Sequence, residues 1–140
     1  MSRVRERRLV PARAILLDTH ALVWWIGGER RLRPALRRRI GDPSQRVYVS
    51  AATSWELSTK VRLGKLPEAM PLVERLAELI DEQGFEVLPI SLEDGRLAGS
   101  LPSPHRDPFD RMLAAQAMLH DLELVSMDPA FSLLGIEATW

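Results

Sequence analysis

What most limits the folds open to this chain is an alternation. Short apolar runs, each too brief for a helix, are separated by stretches with helical hydrophobic spacing. The runs fall at residues 14–17, 47–49, 85–90 and 123–126, with a short fifth at 136–139. Helices are predicted over residues 19–28, 34–40, 54–63, 70–83, 92–101 and 108–119. Leu72, Leu76, Leu79 and Ile80 form one stripe, as a helix lying on a core requires. Glycines or prolines stand at the breaks: Gly27-Gly28, Gly64, Gly84, Pro102 and Pro104. Strands alternating with helices build βαβ units, hence a parallel sheet covered on both faces.

No internal repeat or linker divides the pattern, so residues 14–140 are read as a single domain, a size that fits the 140-residue length. Residues 1–13 are arginine-rich, aperiodic and contain Pro11, and are read as a loose basic arm.

Three absences narrow the function. The apolar run after the basic N-terminus stops at Asp18 and is too short for a secretory core, and no run is long enough to span a membrane. There is no cysteine, which excludes disulfides, thiolate catalysis and Cys-ligated zinc and suits a reducing cytoplasm. The net charge is zero but lopsided. Residues 1–46 carry 12 Arg against four acids, and residues 47–140 carry seven Lys or Arg against 15 acids. A basic first third is either a polyanion footprint or a solvated helix face.

Four acids stand where the sheet would collect them. Asp18 follows the first strand, Glu56 lies in the helix after the second, and Asp128 comes two residues after the fourth. Asp110 joins them if its helix, after the proline-rich loop, starts on the same side. In an open parallel sheet the strand C-termini share one edge, and ligands bind in the crevice there. Carboxylates crowded together repel one another unless a cation compensates. Hard oxygen donors select magnesium or manganese, which can activate water against a phosphodiester. No H-E-x-x-H or paired-histidine motif favours zinc.

Each acid also has a purely structural role open to it. Asp18 or Thr19 can cap the helix that follows. Thr53-Ser54-Trp55-Glu56 matches a capping box, in a helix that should pack. Asp107-Pro108-Phe109-Asp110 reads as a cap, a proline at the first helical position and a dipole partner; Asp107 is assigned the cap. Asp128-Pro129 reads the same way. His20 and His105 can touch substrate or simply be solvated, and His120 fits a helix C-terminus. Of the adjacent Trp24 and Trp25, one can be core and the other half-exposed at an interface, or both can be buried. A receiver domain is excluded, because Asp18 has no acidic neighbour and the third strand ends in Pro89-Ile90-Ser91. A D-x-D phosphatase fails because residue 20 is histidine.

Four segments, in order, resemble motifs of the PIN-domain family, in the branch of VapC-type ribonuclease toxins. They are Leu16-Leu17-Asp18-Thr19-His20-Ala21-Leu22-Val23-Trp24-Trp25, Ser50 through Leu57, His105-Arg106-Asp107-Pro108-Phe109-Asp110-Arg111, and Leu124-Val125-Ser126-Met127-Asp128. The resemblance implies a three-layer α/β/α sandwich with a parallel, about five-stranded sheet. It also implies magnesium- or manganese-dependent endonucleolytic cleavage of RNA, a homodimer, and a small antitoxin whose C-terminal segment plugs the acidic site. Asp18, Asp110 and Asp128 are then expected to bind metal, and Glu56 to bind metal or orient water. Thr19 and Ser126 are expected to hydrogen-bond the carboxylates. Arg106 and Arg111 either hold a phosphate or pair with Asp107 or Asp110. A PIN nuclease of RNA processing without an antitoxin, and an idle PIN fold used for binding, are the alternatives. The arm at residues 1–13 departs from the pattern, since members of this branch start almost at the first strand.

Overall fold

The computed structural model describes residues 13–140. Apart from Arg13, the basic arm expected from the sequence lies outside the described residues. Four strands, β1 (Ile15–Leu17), β2 (Val47–Ser50), β3 (Glu86–Leu88) and β4 (Glu123–Val125), form one parallel sheet in the order β3-β2-β1-β4. Around it lie α1 (Thr19–Ile26), α2 (Pro34–Ile40), α3 (Ala51–Arg62), α4 (Met70–Glu74), α5 (Leu76–Glu82), α6 (Leu92–Ser100), α7 (Pro108–Leu119) and α8 (Ala130–Leu133). This is the expected three-layer α/β/α sandwich.

Strand alternation explains the two cores. Side chains along a strand point to opposite faces in turn. In register, Ile15 meets Val47, and Leu17 meets Val49 and Val125. These residues share one core with Leu22, Leu36, Ile40, Leu57, Leu72 and Ile80, so α1 to α5 cover that face. Leu16, beside Tyr48 and Leu124, points the other way and packs with Leu113, Ala114, Ala117 and Phe131 under α7 and α8. Because β1 is buried on both faces, its three residues are all apolar. Leu16 is wholly buried, and truncating it to alanine should cost about 2–5 kcal/mol.

Several boundaries differ from the sequence reading. The fifth strand is reduced to a single parallel bridge between Val125 and Thr139, with Thr139 N–H donating to the Leu124 carbonyl at 2.8 Å. Ile136 cannot extend it, because its N–H closes the turn after α8 on the Phe131 carbonyl. The helix expected over residues 70–83 breaks at Arg75, whose φ of −118° and ψ of 20° leave the helical region. α3 begins three residues earlier than expected, directly at the end of β2. Ser50 is its cap, with its Oγ accepting from Ala52 N–H at 3.0 Å, so the Thr53–Glu56 capping box does not form. Thr53 and Glu56 are instead buried inside the helix. Among the described residues no helix is long and apolar enough to cross a membrane.

Candidate functional site

The sheet order places β2 on one side of β1 and β4 on the other. Two chain connections therefore leave β1 and β4 in opposite directions, opening a crevice at their C-terminal ends. Asp18 sits there, its backbone N–H donating to the Val125 carbonyl at 3.1 Å. Its side chain caps α1, with Oδ1 accepting from Ala21 N–H at 2.8 Å. The cap is Asp18 and not Thr19, because the Thr19 hydroxyl is used elsewhere: it donates to Glu56 Oε1. Glu56 projects from α3 into the same place and is met on its other oxygen by Lys60 Nζ at 2.6 Å. Lys60 reaches it from one turn further along the helix.

Asp110 enters from the first turn of α7. Asp107 caps that helix, with Oδ1 accepting from Phe109 and Asp110 N–H, and so aims Asp110 inward. His105 Nε2 lies 2.8 Å from Asp110 Oδ2. Asp128, more exposed than the others, follows β4 and accepts from Ala130 N–H at 2.9 Å. Ser126 stands by two of the acids: it favours the ionised form of Asp18, and its hydroxyl accepts from Asp128 N–H at 3.0 Å. Asp18, Glu56, Asp110 and Asp128, from four separate segments, thus line one cleft of about 70 Å³ together with Lys60 and His20.

The electrostatics follow from this crowding. Burial pushes the Asp18 carboxyl above the usual range, against the Ser126 and Ala21 hydrogen bonds and His20, and Glu56 adds to the rise. Asp110 is pushed up to about 6, chiefly by burial, with Asp107, Asp128 and Glu56 adding repulsion against the relief from His105. A cation in the cleft would relieve both.

The donor chemistry fits a hard divalent ion: five carboxylates counting the helix cap Asp107, no thiolate and no histidine cluster. The side chains are not drawn together as ligands, however. Among the described residues no three of Asp, Glu or His converge at metal-binding spacing. Each carboxylate is instead turned to a protein donor, and the Lys60 ammonium lies against Glu56, standing in for a cation.

Other expected residues are placed elsewhere. Arg111 neither faces the cleft nor pairs with Asp107 or Asp110. Its guanidinium is spent on the carbonyls of Ala98, Gly99, Leu101, Ser103 and His105, tying the end of α6 and the following loop to α7. Arg106 is exposed, pairs with no acid among the described residues, and borders an apolar groove with Trp55 and Phe109. Trp55 is 60% exposed and lies edge-on to Phe109. Trp24 is core, while Trp25 is half-buried and donates to Gln83. His120 is tied to the fully buried Asp94, which also accepts from Gln116 and shares a capping box with Ser91. Sequence reasoning overlooked the roles of Lys60 and His105. Lys60's spacing of four from Glu56 on a helix was the available signal; His105 stands in an irregular loop and offered none.

Comparison with known proteins agrees with this architecture. The model of the PIN domain matches residues 15–136. A toxin–antitoxin complex from Klebsiella pneumoniae is similar in structure at 21% identity and a TM-score of 0.57, over 82% of this chain and 87% of that one. VapBC2 from Rickettsia felis, bound to a DNA fragment from its promoter, is similar at 17% identity and a TM-score of 0.62, over 85% and 91%. FitAcB from Neisseria gonorrhoeae is similar at 26% identity and a TM-score of 0.55, over 90% and 96%. No curated protein matches the chain.

Proposed function

Because the chain belongs to the PIN-domain family, we propose that it is a magnesium- or manganese-dependent endoribonuclease, the toxin of a toxin–antitoxin pair. The observation that carries this reading is the meeting of Asp18, Glu56, Asp110 and Asp128 in one cleft at the switch point of the sheet. Crowded carboxylates weaken a fold unless they serve a cation.

Asp18, Asp110 and Asp128 would hold the ion, and Glu56 would hold it or orient the attacking water in place of its contact with Lys60. When bound, the ion supplies water activation and neutralises charge building on the leaving oxygen. Thr19 fixes the Glu56 carboxylate, and Ser126 fixes Asp18 against Asp128. His105 orients Asp110. Arg106, exposed beside the site's helix, takes a substrate phosphate, whereas Arg111 is structural.

A small antitoxin is the expected partner, supported by the toxin–antitoxin complexes among the similar structures. Its C-terminal segment plugs the acidic cleft. The groove of about 320 Å³ formed by Trp55, Ile90, Phe109 and Met112 supports a homodimer, since large apolar side chains left in water favour a second surface. The cytoplasm, where RNA substrate is found, is the proposed location.

The test is RNA cleavage by the purified protein with magnesium or manganese, with EDTA, and with Asp18→Asn. Cleavage by the parent that needs both the ion and Asp18 is expected. Cleavage at the parental rate in EDTA or by Asp18→Asn would sink the proposal.

A further inference from the structure

The acidic cleft, at about 70 Å³, has room for ions, water and the edge of a phosphate but not for a nucleoside. The rest of a substrate must lie in adjoining space. One cavity of about 300 Å³ shares Asp18, His20 and Asp128 with the cleft and is otherwise lined by Trp24, Met127 and Pro129. It is at the small end of the range for ligand pockets. We infer that this cavity receives the base of a nucleotide flanking the bond to be cut, with Arg31 beyond it meeting the next phosphate. This rests on the ribonuclease reading above.

Three observations carry it. First, the lining suits a flat, weakly polar ring. His20 is exposed and lies 5.7 Å from Trp24, and Trp24 is in turn buttressed edge-on by Trp140 at 5.4 Å. Met127 is left 55% exposed although it follows a buried strand by only two residues. A base gains from stacking on such a platform whatever its identity.

Second, the charge is arranged for a polyanion. The ion held by the cleft carboxylates serves the scissile phosphate, and phosphates further along the strand need cations beside the cleft. The Arg31 guanidinium lies 5.4 Å over the ring of Trp24, which lines the cavity. Arg31 is exposed and pairs with no carboxylate side chain among the described residues.

Third, the cavity and the cleft share Asp18, His20 and Asp128, so a group seated in one lies directly beside a group seated in the other. In an RNA strand the base branches from the sugar next to the scissile phosphate, so one nucleotide can reach both spaces.

The experiment has two arms, both on the full chain with magnesium. In the first, adenosine, guanosine, cytidine and uridine 5′-monophosphates are titrated in turn, with ribose 5-phosphate as control, and the His20 ring signals are followed by NMR. Movement with at least one nucleotide and none with ribose 5-phosphate is expected. Equal movement with ribose 5-phosphate, or none with any probe, overturns the inference. In the second, cleavage of an unstructured RNA is compared for the parent, His20→Ala, Met127→Ala and Arg31→Ala. His20→Ala or Met127→Ala should raise KM by roughly five- to a hundred-fold, the range one stacked base is worth, and Met127→Ala, outside the acidic cleft, should do so with kcat little changed. Arg31→Ala should raise KM less and flatten its salt dependence. Unaltered KM in all three overturns the inference, and antitoxin binding lost by the same variants would give the cavity to a protein partner instead. Absence of cleavage even by the parent counts against the ribonuclease reading, while the nucleotide titration still tests the cavity.

Discussion

Asp110→Asn should give a protein that is dead as a nuclease and more stable than its parent when no divalent ion is present. Asp110 is pushed from the ordinary 3.8 to about 6 by burial and by Asp107, Asp128 and Glu56. One pKa unit corresponds to about 1.4 kcal/mol, so the shift amounts to about 3 kcal/mol of native-state penalty on the ionised side chain. Water in the open cleft screens this, leaving about 1–2 kcal/mol. The direction with pH follows from linkage. The native state holds the proton more tightly than the unfolded chain, so this group's contribution is intact below about pH 4 and is lost as pH rises through about 6. Asparagine cannot ionise, yet its Oδ1 still accepts from His105. Urea unfolding in EDTA at pH 7.5 should therefore show Asp110→Asn more stable by about 1–2 kcal/mol, with the gap closing toward pH 4.5. A variant less stable than the parent at pH 7.5, or a gap that ignores pH, would refute the reasoning.

Three further outcomes are expected. Arg111→Met should lose about 2–4 kcal/mol of stability in urea, because it strips charged donors from five carbonyls, and KM for RNA should not move in the folded protein. Lys60→Met should bind manganese roughly three-fold more tightly by calorimetry, because a part-exposed pair worth about 0.5–1 kcal/mol no longer has to be broken; weaker binding would contradict this. Glu123 is held down to about 2 by the two-pronged Arg39 contact, so its contribution is present above about pH 4.5 and lost as pH falls toward 2. Glu123→Gln should accordingly lose about 1 kcal/mol at pH 7 and progressively less as pH falls from about 4.5 toward 2, measured by urea unfolding.

Strands and helices were legible from the sequence because burial on both faces forces β1 to be wholly apolar, while the helices keep their stripes. The acids were legible as a set because strand order is not needed to know that strand C-termini share an edge. What was hidden depended on distance in space or on competing donors. Ser50 outcompeted Thr53 as a cap, and so Glu56 moved from a helix terminus to a buried position. Arg111 reads as a phosphate ligand or an ion-pair partner of Asp107 or Asp110 until the five carbonyls around it are seen. Ile136 looked strand-like, but its N–H was already engaged by Phe131. The exposure of Trp55 could not be read, because a helix face shows its partner only once the neighbouring α7 is in place.

The central claim is that the four acids act as one ion-binding centre, and manganese calorimetry on the parent and on Asp18→Asn, Glu56→Gln, Asp110→Asn and Asp128→Asn tests it most directly. The parent should bind, and each variant should bind about ten-fold more weakly or not at all while remaining folded. Parental affinity in all four variants would contradict the claim, and parental affinity in one would remove that acid from the centre.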